Sequence, residues 1–264
     1  MTSAPDSLTN SGEDPVYLNA QQITELAAKY MAEGKHEDVE KLCAKLLAWR
    51  EDHGQAWFFR ALVAHAEGRF QDAIDFLAKT TNATDIVVQR LLLEGRCRAA
   101  LGDMDVALAA FRRALDFQPD NAEGYYWVGM CLKEKQDMTD ARSFLRRATL
   151  LDPKLAPAWY EQGNVALLVE RYDEAIRAYQ KAVELIPNAH EVQNNLGLAF
   201  QAKGDIESAE KAFSAAIALN ANYAEAYGNL SLMLRSAGRT AEADKFRNKA
   251  VELQPALADV LAAS

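Results

Sequence analysis

What this 264-residue chain has little of narrows its chemistry quickly. It holds three cysteines, Cys43, Cys97 and Cys131. So few, and an odd number, make no disulfide framework and suit reduced thiols in a cytoplasm. Its four histidines, His36, His53, His65 and His190, have no cysteine or carboxylate at ligand spacing, so no metal site is expected. No glycine-rich loop follows a strand, and strand alternation is missing altogether, which removes the common nucleotide-binding frames. Long apolar runs are also missing, as is an N-terminal basic segment followed by an apolar one. Neither a membrane-spanning helix nor a secretory leader is expected. Positive charge is in deficit: 29 Lys and Arg stand against 38 Asp and Glu, for a net charge of −9. Such a surface argues against nucleic acid as the main ligand, because the phosphate backbone would be repelled. No catalytic constellation remains, and the residues read as non-enzymatic by themselves, without a cofactor.

What is present is a period. From Ala20 to Leu257 one unit of 34 residues is written seven times, with no residue inserted or lost. The rows span 20–53, 54–87, 88–121, 122–155, 156–189, 190–223 and 224–257. Column 8 is always small: Ala27, Ala61, Gly95, Gly129, Gly163, Gly197, Ser231. Column 15 is glycine except for Gln136 and Glu170, and column 20 is alanine in every row after Val39. Column 27 ends in five alanines, Ala114 to Ala250, and Pro119, Pro153, Pro187 and Pro255 share column 32. A fixed period of this length signals a solenoid with a continuous, quasi-linear core, which the 50% apolar content can supply.

Each unit reads as two helices. Apolar residues recur at three- and four-residue spacing on both sides of column 15, as in Trp159, Val165, Ala166 and then Ile176, Tyr179, Val183. Glycine at column 15 supplies the left-handed residue that ends the first helix. Asp103, Asp137 and Asp205 are placed to cap the second, and proline at column 32 stops it. Small residues at columns 8, 20 and 27 let helix axes approach. One joint is weak: Thr80-Thr81-Asn82-Ala83-Thr84 replaces the alanine-rich end of the second helix in repeat two. These residues favour caps and turns, so that helix is expected to end about a turn early, with Ile86 and Val87 opening the next.

The row Trp159, Gly163, Tyr172, Ala175, Tyr179, Ala182 and Pro187 resembles a complete tetratricopeptide (TPR) repeat. The similarity extends over residues 16–257, with repeats one and two degenerate. It implies an all-α fold, a right-handed TPR superhelix (α-solenoid) of seven helix-turn-helix repeats. Residues 1–15, rich in Ser, Thr, Asp and Pro, are expected to be a disordered tail. Residues 258–264 start an eighth unit and stop, leaving a short capping segment on which Leu257, Val260 and Leu261 share one helical spacing.

In the family, first-helix columns 2, 5, 6, 9, 12 and 13 line a concave groove. Carrying those columns across gives Phe58, Phe59 and Leu62, then Leu92, Leu93 and Arg96, then Tyr126, Trp127 and Met130, then Tyr160, Asn164, Leu167 and Leu168. Repeats six and seven turn polar, with Asn194, Asn195 and Asn229. Residues at columns 5 and 6 can instead be partly core, and both readings stay open. The carboxylate clamp of chaperone-binding members is matched at Asn164 and Asn195 but not at Tyr160, Glu225 and Asn229, where cations belong. The asparagine ladder of O-linked N-acetylglucosamine transferases is matched by Asn195 and Asn229, and interrupted by Glu161, Trp127 and Leu93. The resemblance therefore implies apolar side-chain capture in the middle of the array and backbone capture near its C-terminal end.

Two further features are legible. Arg112 and Arg113, repeated as Arg146 and Arg147 with Arg142 nearby, form a basic stripe on second helices. It is either a solvated face or a contact for an acidic partner. The function expected is a cytoplasmic protein-protein interaction module holding a peptide or amphipathic helix. The alternative is the substrate-recruiting N-terminal TPR region of a larger glycosyltransferase- or sulfotransferase-type enzyme, with a chain continuing beyond Ser264.

Overall fold

The computed structural model describes residues 18–80 and 84–262. The expected N-terminal tail lies outside them, as do Thr81, Asn82 and Ala83 of the weak joint. Helices come two to a repeat. First helices are α1 (Ala20–Ala32), α3 (Gly54–Ala66), α5 (Val87–Ala100), α7 (Ala122–Glu134), α9 (Ala156–Leu168), α11 (His190–Lys203) and α13 (Ala224–Ser236). Second helices are α2 (His36–Trp49), α4 (Phe70–Leu77), α6 (Met104–Phe117), α8 (Met138–Leu151), α10 (Tyr172–Leu185), α12 (Ile206–Leu219) and α14 (Thr240–Leu253). A short α15 (Leu257–Ala262) follows. No strand occurs among the described residues. The chain divides after Cys131 into two compact units, and in each the helices stack in pairs, the α-solenoid arrangement.

The repeat columns do physical work. Columns 20 and 27 are sealed in both units: Val39, Ala73, Ala107, Ala114, Ala141, Ala148, Ala175, Ala182, Ala209, Ala216, Ala243 and Ala250 are all 0% exposed. Column 8 glycine admits an aromatic ring from the paired second helix. A Cβ built on Gly95, Gly163 or Gly197 would meet the ring of Phe111, Tyr179 or Phe213 at 2.5, 2.6 and 2.6 Å. Among the described residues these rings are the largest fully buried side chains, so each pair is closed by a contact that only glycine permits.

Column 15 ends the first helices in the left-handed region, with φ of 70° at Gly34 and 88° at Gly204. Gln136 and Glu170 adopt it too, at φ 64° and 58°, so the turn persists where the sequence lacks glycine. Two of the three expected aspartate caps form: Asp137 accepts from the Asp140 amide and Asp205 from the Ser208 amide. Asp103 occupies the cap position without capping, because its carboxylate is drawn to Arg98 at 3.2 Å.

The weak joint is present and larger than expected. α4 has 8 residues where every other second helix has 14, a shortfall of well over one turn. Thr80, buried at column 27, donates its hydroxyl to the Leu77 carbonyl at 2.7 Å and so serves the helix end. A 3₁₀ turn at Thr84–Ile86 then leads into α5. At the other end, Leu261 of α15 is buried and rests near Gly228, whereas Val260 is 59% exposed. Of the three residues that share one helical spacing, Leu261 is buried, Leu257 half-buried and Val260 exposed.

Candidate peptide-binding site

The expected lining residues fall into two groups, one in each unit. In the unit before Cys131 they form an aromatic cluster. Trp127 stacks on Phe111 with centroids 5.7 Å apart and planes 10° apart, and Tyr126 meets Trp127 edge-on at 5.0 Å. The indole Nε1–H donates to Glu123 Oε1 at 3.1 Å, and the Arg96 guanidinium lies 5.6 Å from the Trp127 ring. Because Phe111 sits over Gly95, the column 8 contact that closes the repeat also sets the plane on which Trp127 rests. Phe58, Phe59, Leu62, Tyr126, Trp127 and Met130 are half-buried, each keeping some surface available. Leu92 and Leu93 are different: at 6% and 2% exposed they are core, and Leu93 packs with Ala61, Leu77 and Cys97. Columns 5 and 6 of repeat three are therefore buried in this repeat. They are not open lining.

In the unit after Cys131 the same columns form a hydrogen-bonded chain. Lys133 donates to Glu161 Oε2 at 2.8 Å, and Asn164 Nδ2 donates to the same oxygen at 3.2 Å. Asn164 Oδ1 accepts from the Tyr179 hydroxyl at 2.7 Å and from Asn195 Nδ2 at 3.1 Å. Asn195 Nδ2 also donates to the Tyr160 oxygen at 3.1 Å. Asn194 Nδ2 reaches Asn195 Oδ1 at 3.3 Å, and Asn229 Nδ2 reaches Asn194 Oδ1 at 2.9 Å. One connected network thus crosses α9, α11 and α13, which lie side by side.

Counting donors decides what each amide has left. Asn195 spends both N–H groups inside the network, so it is a strut and not a rung. Asn229 keeps one N–H and its Oδ1 with no partner among the described residues, whereas the Asn164 amide is engaged by Glu161, Tyr160, Tyr179 and Asn195. Burial raises the pKa of Tyr160 and, more strongly, of Tyr179, so both hydroxyls stay protonated, Tyr179 donating to Asn164 and Tyr160 accepting from Asn195.

Sequence reasoning missed Tyr179, Glu161 and Lys133 as members. Lys133 and Glu161 stand in lining columns 12 and 6 of consecutive repeats, so reading every lining column for opposite charges would have paired them. Tyr179 was visible as the one tyrosine in a column where Phe111 and Phe213 stand, with a hydroxyl in need of a partner.

The other sequence expectations are placed as follows. Cys43, Cys97 and Cys131 are free and buried, and burial pushes the thiols of Cys43 and Cys97 up to about 12 and about 11. No group of three or more His, Cys, Asp or Glu able to hold a metal occurs among the described residues. No helix among them is long and apolar enough to cross a membrane.

Family models for tetratricopeptide repeats match residues 25–85, 92–156 and 194–258, and a TPR-repeat model matches 170–204. The chain belongs to the tetratricopeptide-repeat family. Among curated proteins it is 23% identical to the BBSome complex member bbs-4 of Caenorhabditis elegans over 199 residues, 72% of this chain and 43% of that one. The chain spans less than half the length of the curated relatives it matches. Among solved structures it resembles MamA, at 27% identity and a TM-score of 0.59, covering 62% of this chain and 96% of that one. It also resembles YrrB, described as a TPR protein with an unusual peptide-binding site. There the identity is 21% and the TM-score 0.61, over 68% and 92% of the two chains, a likeness of fold.

Proposed function

We propose that this TPR protein is a binding module whose first helices capture a segment of a partner protein, an extended peptide or an amphipathic helix, in the groove of the repeats. The observation that carries the reading is the network from Lys133 to Asn229. Eight side chains hold one another in place, and unspent amide groups remain on Asn229. Groups fixed beforehand lose little freedom on binding, which is what backbone capture needs. The Tyr126–Trp127 pair supplies the complementary chemistry, a rigid apolar anchor with polar edges. A relative that is a member of a multiprotein complex fits a module of this kind. Free, buried cysteines suit a cytoplasmic setting.

Exposed arginines of second helices offer a separate contact for acidic residues of a partner. Arg112, Arg113 and Arg146 make no salt bridge among the described residues, while Arg147 is already engaged. The groove reading is tested by affinity capture from a lysate with wild type, Asn164→Ala/Asn229→Ala and Tyr126→Ala/Trp127→Ala, followed by titration of the recovered segments. Both variants should lose the same partner at unchanged helicity. Retention by both would remove the groove as the site.

A further inference from the structure

The α9 helix has two working faces. Tyr160, Glu161 and Asn164 belong to the network, while Trp159 and Gln162 sit about half a turn away around the helix. Trp159 and Gln162 open onto a cavity of about 580 Å³ whose remaining walls are Arg142 and Arg146 of α8 and Glu174, Arg177, Ala178 and Lys181 of α10. Four cations therefore meet one carboxylate in a chain that is acidic as a whole. That carboxylate is consumed: Glu174 accepts from Arg142 Nε at 2.8 Å. Lys181 pairs with Glu184 at 2.7 Å, outside the cavity wall. Arg146 and Arg177 are exposed and make no salt bridge among the described residues. An adjoining recess adds Arg171 and Lys203 against Glu170 and Asp173, so its charges balance.

Gln162 supplies an independent observation. It is 6% exposed, and its Oε1 lies 2.9 Å from the Thr149 hydroxyl, which fixes the amide. Its Nε2 has no acceptor among the described residues, although the side chain lines the cavity. An amide donor open to the cavity, on an otherwise buried residue, beside two guanidinium groups that make no salt bridge among the described residues calls for an acceptor-rich, negatively charged ligand. The Trp159 ring and the Ala178 methyl add an apolar wall. Meanwhile Glu170, Asp173 and the net charge of −9 disfavour a long polyanion.

We propose that this cleft between α8 and α10 binds an acidic segment of a partner protein, its carboxylates on Arg146 and Arg177 and a neighbouring apolar side chain against Trp159. The proposal deepens the acidic-contact reading of the second helices and is independent of the groove.

The test is fluorescence anisotropy with a short fluorescein-labelled peptide in which glutamates flank one phenylalanine. Wild type should bind it at low salt, more weakly as salt rises. Arg146→Glu/Arg177→Glu should weaken binding about tenfold or more, and replacing the peptide's glutamates by glutamines should do the same. Lys29→Glu/Lys41→Glu, an equal charge change at exposed residues of the other unit, and Asn229→Ala in the network should each leave it within about twofold. Circular dichroism checks that all variants remain helical. Absence of wild-type binding, or equal loss in the arginine and lysine pairs, overturns the cleft. So does tighter binding of a labelled oligothymidylate than of the peptide, or loss of the peptide in Asn229→Ala.

Discussion

The two units use the same repeat columns for opposite chemistry. Before Cys131, columns 5 and 6 carry Tyr126 and Trp127, and the aromatic at column 24, Phe111, offers them only a ring face. After Cys131, column 24 is Tyr179, column 9 is Asn164 and columns 5 and 6 of the next repeat are Asn194 and Asn195. One hydroxyl then turns a stacking surface into the centre of a hydrogen-bond network. The scaffold is indifferent to the change: Gly95 under Phe111 and Gly163 under Tyr179 make equally close contacts. Repeat architecture separates what holds the fold from what lines it, so neighbouring repeats can diverge in ligand chemistry at little cost in stability.

The largest effect should come from removing the aromatic side of the comparison. Tyr126→Ala/Trp127→Ala is expected to lower affinity for a captured partner by at least about 2 kcal/mol for each true hot spot. Because Trp127 also stacks on Phe111, some loss of thermal stability should accompany it. Titration calorimetry and melting of the same variant separate the two. Normal affinity with a sharply lower melting point would make these residues structural.

Next in size are the glycines common to both units. Gly95→Ala and Gly163→Ala each force a methyl into a ring, a cost of about 1–3 kcal/mol that better helix propensity only partly offsets. Chemical denaturation should show equal penalties in the two. A large inequality would mean that the units are not held by the same device.

Tyr179→Phe sharpens the contrast, because it gives unit two the ring that unit one already has. Packing should survive, since Phe fills this column at Phe111 and Phe213. The lost bond to Asn164 should cost about 1 kcal/mol, and the partner's affinity should fall through loosening of Asn164. Unchanged affinity would detach Tyr179 from the site.

The fold was legible because thirty-four-residue periodicity constrains every column seven times over, and a single glycine or proline repeated in register needs no tertiary information. Even the break at Thr80 could be read, from residues that prefer caps to helix interiors. Its extent could not, because where α4 stops is set by tertiary packing, with Thr80 buried and bonded to the Leu77 carbonyl. The lining was half legible for the same reason. Column position places Asn195 beside Asn164, but which of its donors are spent depends on hydroxyls and amides two helices away. The α8–α10 cleft was visible only as Arg142 and Arg146. Gln162 and Trp159 stand outside the lining columns, and their second face appears once α10 lies against them.

The smallest expected effect is in pH. His53 and His65, both in the first unit, have their pKa lowered, chiefly by burial, with Arg50 and Arg96 respectively adding repulsion. His53 is also the cap of α3, its Nδ1 accepting from the Ala56 amide at 3.3 Å, which requires that nitrogen unprotonated. A histidine depressed in the folded state favours the neutral form there. Stability is therefore full above the unfolded value of about 6.5 and declines as pH falls below it. In the second unit the lowered groups are carboxylates, Asp173 held down by Lys203 and Asp205 by Ser208. Their contribution is present above the unfolded carboxylate value of about 4 and is lost only as pH falls below it. Between about pH 6.5 and 5, residue-resolved hydrogen-exchange protection, corrected for intrinsic rates, should weaken in α3 and hold in α10 and α12. His53→Asn/His65→Gln keeps a capping side chain and removes both titrations, so it should flatten the decline. Equal weakening of both units in that window, or a decline that persists in the double variant, would mean that the histidines do not set the acid sensitivity of the first unit.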